Sequence, residues 1–550
     1  MCLPVFRRGG RAGSCTQDPS PGPRLGWLVL GGALLVGIYC AWLASDSGVD
    51  DALIVHRYVD RFLEGKGLTF NDGEYVEGYT SLLWTLLLSL GALSRVSIES
   101  TSLGLSYGSV ALMILAVGRL VRVLRLGRAI EIPVLALLVC NFLFLRTAFL
   151  GLELGLFAAL LTLFVSGSFE LLTASATQTG AAVLWAGALG ILLFVTRPES
   201  VVLVPAFLLA TATSADLRRT ARPLGISLLI FAVGVGAVTV WRLQYYGALL
   251  PNSVVAKSES VHLRGSLFAL RSHVADGVEY LAAAGLENPV LPVVAAVWVL
   301  TTFTASARRL QLRLLLIPIA WSAVVVVGNG GDWMPYHRLI NMYWPIYVVA
   351  LAVVLAEPAA ARIPRRALVV GLVALWVLEV GTTARAARVG PFRDPGRGLW
   401  WATYGDIGRS LDGSWIKGDI LAAEGIGLVG YSGPSIYVHD PSGLTDYRLA
   451  RDAAAHRSVY GRTDWKYSMG LNPAVVILHS IPLGDRWRNV AVHFRSDYRL
   501  FLIPPPEGRS EGWLYLIIRE DRLPVYLPAV AHLPLREVDC PECRAGRPKR

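Results

Sequence analysis

The chain has 550 residues, of which 54% are hydrophobic and only 17% are charged, and its mean hydropathy is +0.51. This composition excludes an ordinary soluble protein, and the length allows many membrane spans plus a separate domain. The net charge of +11 comes mostly from arginines in short loops between apolar runs. That is the charge pattern of a membrane protein, not of one that binds nucleic acid.

The N-terminal region combines a polar tail with a long apolar run. Residues 1–24 carry several arginines and precede LGWLVLGGALLVGIYCAWLAS. This run is longer than a signal-peptide core and lacks a clear small-residue cleavage site, so we interpret it as a retained anchor. Basic residues before the anchor place the N-terminus in the cytoplasm, and the next loop then lies on the outer face.

Residues 25–385 form the predicted membrane region. Beyond the anchor, runs that approach the roughly 20 apolar residues of a span cover residues 101–122, 130–148, 152–172, 180–196, 199–213, 223–241, 288–305, 312–328, 338–356 and 367–384. The loops carry arginine clusters within residues 119–128, 218–222, 308–313 and 362–366. All four clusters fall on the cytoplasmic side only if residues 79–94 lie on the outer membrane surface instead of crossing it. We therefore predict an interfacial helix there and about eleven spans.

With this topology the polar segments between spans converge on one face. They cover residues 46–59, 149–155, 196–200, 241–257 and 328–338. The tail after residue 385 falls on the same side. The pattern predicts a single site that faces the periplasm or the cell exterior.

The first outer loop, residues 46–78, contains the adjacent acids Asp50 and Asp51 and then an amphipathic helix pattern. Its predicted apolar stripe consists of Leu53, Ile54, Tyr58 and Phe62, and Gly65 and Gly67 follow its end. Either acid can cap the helix or perform chemistry at the membrane surface, and one can cap while the other reacts. Arg57 on the same helix either pairs with Asp60 or Glu64 or faces solvent.

Residues 386–550 change character. Strand-length apolar runs occupy residues 419–425, 435–440, 474–480, 498–504 and 512–518, with a helix-like stretch at 447–458. This alternation predicts a small α/β domain docked on the outer face. Cys540 and Cys543 form a lone CxxC, which is weak evidence for a metal site and equally compatible with a disulfide.

Several motifs occur in a fixed order: DDALIVHRYVDRFLEGKGLTFNDGEYVEGYTSLLW, GLE, TRPE, YYG with PNS and AK, and GGDWMPYHR. This combination resembles the GT-C glycosyltransferases of bacterial envelopes and is most similar to the mycobacterial-type terminal arabinofuranosyltransferase and its relatives. The resemblance covers residues 46–345 and extends into the tail through HDPSGLTD at residues 439–446.

The resemblance implies a polytopic α-helical membrane enzyme of the GT-C type with a C-terminal α/β extracytoplasmic domain. The donor would be a polyprenyl-phosphate pentose or hexose, with arabinofuranose as a candidate. The acceptor would be an envelope glycan or glycolipid on the outer face of the cytoplasmic membrane. The essential acid would lie on the first outer loop, and the outer domain would help to hold the acceptor.

The residue types indicate the chemistry. A phosphate leaving group departs as an anion and needs cations, whereas the acceptor hydroxyl needs a base such as a carboxylate. Asp50 and Asp51 are the candidates for the base, with Asp50 slightly preferred as the first residue of the DDA motif. Direct displacement would invert the anomeric centre. The second acid would orient the base, bind the acceptor or help to hold a divalent cation such as Mg or Mn, although two acids are too few to define a metal site.

Candidate phosphate ligands are Arg197, Lys257, His337 and Arg338, since arginine binds phosphate in a planar fork and lysine as a point charge. Snorkelling to lipid headgroups is the alternative for Arg197 and Lys257, and ordinary interface polarity is the alternative for the other two.

Candidate sugar or acceptor ligands are Glu153, Tyr246, Asn252, Asp332, Trp333 and Tyr336. Glu153 lies in apolar sequence, where an acid is either functional or paired with Arg146 or Arg197. Asp332 lies beside aromatic residues that suit a sugar but are also typical of membrane interfaces. Tyr246 and Asn252 belong to the matched motifs.

Two other function classes remain open. A transporter or flippase of lipid-linked sugars would also combine many spans with buried polar residues, but such proteins are commonly built from repeated halves, which this sequence lacks. A non-catalytic scaffold that binds envelope glycan would not need two adjacent acids together with cations suited to phosphate.

Overall fold

The computed structural model describes residues 49–126, 128–173, 179–214, 217–257, 267–303, 308–332, 334, 336–356, 374, 377, 378, 381, 395–452, 456–458, 461–480, 497–504 and 513–538. The predicted anchor, most of the 367–384 run, Trp333 and the CxxC cysteines lie outside these residues.

The regular elements described in the membrane region are all helices. Its helices are α1 (Asp50–Leu63), α2 (Leu82–Leu93), α3 (Ile98–Val123), α4 (Arg128–Cys140), α5 (Phe142–Ala148), α6 (Leu154–Thr173), α7 (Thr179–Thr196), α8 (Ser200–Ser214), α9 (Leu217–Tyr246), α10 (Asn252–Lys257), α11 (Leu267–Glu287), α12 (Val290–Phe303), α13 (Arg309–Asn329), α14 (Arg338–Asn341) and α15 (Trp344–Leu355). A large apolar core joins residues of α3 to α9 with α12, α13 and α15.

The described helices confirm a polytopic membrane protein. Helices α3, α6, α9 and α13 are long and apolar enough to cross a bilayer, and the bent pair of α4 and α5 raises this number from four to five. Helices α2, α7, α8 and α15 are shorter apolar helices. The predicted count of about eleven spans and the interfacial position of residues 79–94 stay predictions.

Two predicted membrane segments need revision, and one helix was not predicted. The 130–148 run is two helices that meet at an angle of 63°, because Asn141 starts a new helix by accepting a hydrogen bond from the Phe144 N–H at 2.7 Å. The 338–356 run is broken between α14 and α15. Helix α11 lies in a stretch for which no helix was predicted, because its charged residues interrupt the apolar pattern.

The C-terminal domain contains a mixed sheet. Its helices are α16 (Pro395–Asp412), α17 (Ile426–Ser432), α18 (Trp465–Gly470) and α19 (Leu523–Ala529). Its strands are β1 (Leu421–Ala423), β2 (Val438–His439), β3 (His456–Ser458), β4 (Gly461–Thr463), β5 (Val475–Ser480), β6 (Tyr498–Ile503), β7 (Trp513–Arg519) and β8 (Arg536–Val538). Six strands form one sheet in the order β2-β1-β5-β7-β6-β8, with β1 parallel to β2 and β5 and the other pairs antiparallel.

All five predicted strands of this domain are confirmed, as β1, β2, β5, β6 and β7. The predicted helix over 447–458 is wrong. It is a 3-10 turn at Leu449–Arg451 followed by strand β3. Asp446 ends the preceding segment by accepting the Leu449 N–H at 2.7 Å, and this favours a turn over a continuous helix.

Helix α1 forms where the amphipathic pattern predicts it and ends before Gly65, whose φ of 75° suits glycine. The predicted stripe is only partly correct. Ile54 and Tyr58 are buried together with Val55 and Val59, whereas Phe62 is 39% exposed. The capping interpretation of the two acids is wrong, because Val49 is the N-cap residue and both acids lie inside the first turn.

The buried face of α1 belongs to the core of the C-terminal domain. One apolar cluster contains Ile54, Tyr58 and Phe70 together with Val429 and Leu516 of that domain. The first outer loop and the C-terminal domain therefore fold as one unit.

A buried ion pair joins the end of this loop to α9. Arg242 donates two hydrogen bonds to Glu77, at 2.5 and 3.0 Å, and both side chains are at most 2% exposed. We expect Arg242→Met to lower the free energy of unfolding by about 3–5 kcal/mol, since it leaves an uncompensated buried carboxylate. Thermal unfolding in detergent measures this loss. The double variant Glu77→Met/Arg242→Met should recover most of the stability, and equal loss in both variants would contradict the assignment.

Candidate active site

A cavity of about 1050 Å³ lies between α1, α11 and the turns that join the membrane helices. Residues from all five polar segments that the sequence analysis placed on one face line it, and so does Leu444 of the C-terminal domain. The convergence predicted for these segments is confirmed as a shared cavity wall.

Asp51 lies on this wall between two cations. Its Oδ2 is 3.5 Å from Nη1 of Arg338 and 4.0 Å from Nζ of Lys257. Arg338 also forms a forked pair with Asp332, in which Nη2 donates at 3.2 Å and Nε makes the second bond. The chain reverses before this pair through Gly330 and Gly331, whose φ values of 65° and 85° favour glycine.

A second charged cluster lines the cavity at the junction of α7 and α8. Arg197 contacts Glu153 at 3.0 Å through Nη1 and Glu199 at 2.7 Å through Nε. The side chains of Arg197 and Glu153 are 13% and 6% exposed. The ion pair proposed as the alternative role of Glu153 is therefore present, and it is formed inside the cavity.

The structure brings half of the predicted site residues to the cavity wall. These are Asp51, Glu153, Arg197, Lys257, Asp332 and Arg338. Trp333 lies outside the described residues.

Three predicted residues connect elements around the cavity. Asp50 is buried, and its Oδ1 accepts the Leu428 N–H of the C-terminal domain at 2.8 Å. The amide of Asn252 donates to the carbonyls of Gly443 and Leu444 at 2.9 and 3.0 Å. The hydroxyl of Tyr246 lies 2.9 Å from that of Tyr79 in a buried aromatic cluster.

His337 and Tyr336 lie in the turn before α14 and do not line the cavity. Both residues have positive φ values, of 49° and 73°. His337 Nε2 is 3.1 Å from Glu287 at the end of α11, and the carbonyl of Tyr336 accepts a hydrogen bond from Asn341. Both contacts shape the turn that presents Arg338.

Two acids and one histidine of the cavity wall were not predicted as site residues. Glu199 belongs to the TRPES segment, which was placed on the correct face without a role for this acid. His273 and Asp276 belong to α11, and His273 Nε2 lies 3.0 Å from the Gly328 carbonyl. The sequence signal that could have identified these two residues is their spacing of three, which places both side chains on one face of a helix.

The residues for a divalent cation do not assemble here. Among the described residues no group of three or more His, Cys, Asp or Glu side chains is arranged to hold a metal ion. Asp51, Glu153 and Asp332 are each paired with a cationic side chain. These carboxylates therefore do not fit a metal site in this arrangement.

Two solved structures are similar in fold to this chain. The apo oligosaccharyltransferase of Archaeoglobus fulgidus has a TM-score of 0.56 at 13% identity, with 88% of this chain and 73% of that chain covered. ArnT of Cupriavidus metallidurans, bound to undecaprenyl phosphate, has a TM-score of 0.51 at 14% identity, with 89% and 98% covered. The chain has the GT-C fold.

Curated relatives confirm the resemblance drawn from the motifs. A terminal β-(1→2)-arabinofuranosyltransferase of Mycobacterium tuberculosis is 33% identical over 231 residues, which cover 39% of this chain and 35% of the relative. The protein of the same name from Corynebacterium glutamicum is 29% identical over 367 residues, which cover 58% and 50%. The chain thus spans at most half the length of these two relatives. No protein-family model matches it.

Burial changes the titration of Asp50. Desolvation raises the pKa of this carboxyl to about 7, although the Leu428 N–H opposes the shift. In an unfolded chain the pKa is about 3.9. The native state therefore holds the extra proton between these values, and the free energy of unfolding falls as the pH rises through this window.

We expect the wild-type chain to lose stability relative to Asp50→Asn as the pH rises from about 4 to about 7, by roughly 1 kcal/mol or more. The asparagine keeps an oxygen that accepts the Leu428 N–H but carries no ionisable proton. Thermal unfolding of both forms across this range measures the difference. A difference that does not change with pH would show that Asp50 does not titrate there.

Proposed function

We propose that the chain is an inverting glycosyltransferase that moves a sugar from a polyprenyl-phosphate donor to an envelope glycan or glycolipid. Arabinofuranose is the first candidate sugar, because both curated relatives are named terminal arabinofuranosyltransferases. A lipid-phosphate donor is supported by ArnT, the structural neighbour that binds undecaprenyl phosphate.

The observation that carries the proposal is the position of Asp51. It combines a carboxylate at a cavity wall with two cations, Arg338 and Lys257, within 4.0 Å. A transfer from a phosphate donor needs both parts, namely a base for the acceptor hydroxyl and positive charge for the departing phosphate. We assign the base to Asp51 instead of Asp50, since Asp50 is occupied by the Leu428 N–H.

The reaction would be a single displacement. Asp51 accepts the proton of the acceptor hydroxyl while the oxygen of that hydroxyl attacks the anomeric carbon of the donor sugar. The bond from the anomeric carbon to the phosphate oxygen breaks at the same time. The electron pair leaves with the polyprenyl phosphate, whose charge Arg338 and Lys257 stabilise. An incoming phosphate would compete with Asp51 for these cations, which would release the carboxylate to act as a base.

The second cluster supplies contacts for sugar hydroxyls. Glu153 and Glu199 each accept from Arg197, and carboxylate oxygens retain capacity to accept further hydrogen bonds. We place the donor sugar between this cluster and Asp51. The apolar residues of the cavity, such as Val201 and Leu250, suit the first isoprene units of the lipid.

The distribution of arginines in the membrane region supports a reaction on the outer face of the membrane. The arginine clusters of the sequence predict that the cavity and the C-terminal domain lie outside the cytoplasmic membrane, with the N-terminus inside. The alternative of a transporter or flippase gains no support from the relatives and neighbours described above.

We expect Asp51→Asn to lower transfer by about 10²- to 10⁴-fold, which is the usual contribution of a general base. The assay measures transfer from polyprenyl-phosphate pentose and hexose to short glycan acceptors in membranes. Glu64→Gln on the exposed end of the same helix is the matched control. Loss of transfer in Asp50→Asn but not in Asp51→Asn would reverse the assignment of the base.

Lys257→Met should weaken binding of the donor and leave binding of the acceptor largely unaffected. A hydrogen bond to a charged group contributes about 1.5–3 kcal/mol, so we expect the donor KM to rise by roughly ten-fold or more. Kinetics with donor and acceptor varied in turn measure the two KM values. A rise confined to the acceptor KM would move Lys257 to the acceptor site.

A further inference from the structure

The C-terminal domain contacts α1 at the residue next to the proposed base. Helix α17 packs on the first turn of α1, and Asp50 Oδ1 accepts the Leu428 N–H across this contact at 2.8 Å. Asp51 follows directly and lines the cavity. Adjacent residues on a helix project in different directions, so the two carboxylates face different partners.

Glycine makes this approach possible. A Cβ on Gly427 would overlap the carbonyl oxygen of Asp50 and would lie 2.9 Å from the backbone nitrogen of Ile54. These neighbours are backbone atoms of α1, which cannot rotate away as a side chain can. A methyl group at this position would therefore displace the start of α1 from the C-terminal domain.

Arg57 fixes the same helix two turns further on. Arg57 is 2% exposed, and its guanidinium donates to the carbonyls of Phe70 and Ile436 at 2.7 Å each and to that of Gly430. Gly430 lies on the same helix as Gly427. Two contacts thus hold α1 against the C-terminal domain, one at its first turn and one near its middle.

We propose that the C-terminal domain positions the base, with Gly427 and the Leu428 N–H as the contact that sets the place of Asp51 in the cavity. This inference rests on the proposed function. It makes Gly427 and Asp50 positioning residues that act through Asp51. A displacement of about 1 Å can lower a rate by roughly 10²-fold without removing any reacting group.

The test compares Gly427→Ala with Gly470→Ala. A Cβ at Gly470 meets nothing within 4 Å, so the control carries the same substitution in the same domain without the clash. We expect Gly427→Ala to lower transfer at saturating donor by at least ten-fold while the donor KM changes less than about two-fold. Loss of donor binding together with transfer, or wild-type transfer, would overturn the inference.

A conservative pair at position 50 separates positioning from simple packing. Asp50→Asn keeps an acceptor for the Leu428 N–H, whereas Asp50→Leu has a similar size and no acceptor. We expect Asp50→Asn to retain several-fold more transfer than Asp50→Leu. Equal transfer in the two variants would show that the hydrogen bond does not position the base.

Hydrogen exchange tests the same contact without any substrate. In detergent, Gly427→Ala should speed amide exchange in peptides that cover the first turns of α1, and Gly470→Ala should not. Unchanged exchange in these peptides would overturn the coupling. Faster exchange with full transfer would overturn the positioning role alone. If Asp51→Asn retains transfer, the proposed mechanism fails even where the exchange result supports the contact.

Discussion

The buried guanidinium of Arg57 is the interaction on which the shared architecture of this protein depends. Removing a cation from water costs several kcal/mol, and here the backbone carbonyls of Phe70, Gly430 and Ile436 offset that cost. Two of these carbonyls belong to the C-terminal domain and one to the first outer loop. Separating the loop from the domain would therefore deprive the buried charge of the Gly430 and Ile436 carbonyls, and this cost ties the loop to the domain.

Asn71 extends the same connection at the edge of the sheet. Its side chain accepts the Val438 N–H at 3.1 Å and donates to the Val438 carbonyl at 2.9 Å, as a neighbouring strand would. The edge strand β2 is thereby covered by the membrane region. As a result one face of α1 packs in the core of the C-terminal domain and another face lines the cavity. The ion pairs of Asp51 therefore lie on a part of the cavity wall that the C-terminal domain supports.

Local sequence patterns predicted most of the tail strands and membrane helices and the convergence of the polar segments, although α11 and the turn at Leu449–Arg451 were not predicted. The five tail strands, the end of α1 at Gly65 and the convergence of the polar segments all follow from local patterns and charge. Contacts between distant segments did not follow. Arg57 was predicted either to pair with Asp60 or Glu64 or to face solvent. Its acceptors are instead carbonyls more than ten residues away, and carbonyls leave no side-chain signal.

The same reason explains the order of the two acids. The motif order slightly favoured Asp50 as the base, but local sequence carries no signal for the contact between Asp50 and the Leu428 N–H that leaves Asp51 at the cavity. His273 and Asp276 were missed because α11 approaches the cavity through the fold and not through a motif. Glu153 was predicted to be either functional or paired with Arg146 or Arg197, and the structure shows the pair with Arg197 at 3.0 Å.

The proposed mechanism requires the donor phosphate to bind Arg338 and Lys257 beside the base Asp51. A structure of the chain with polyprenyl phosphate bound tests it most directly. We expect phosphate oxygens in contact with Arg338 and Lys257. The Asp51 carboxylate should then be released from at least one of these cations and be open to the cavity. A phosphate bound away from both cations, with Asp51 still paired to them, would contradict it.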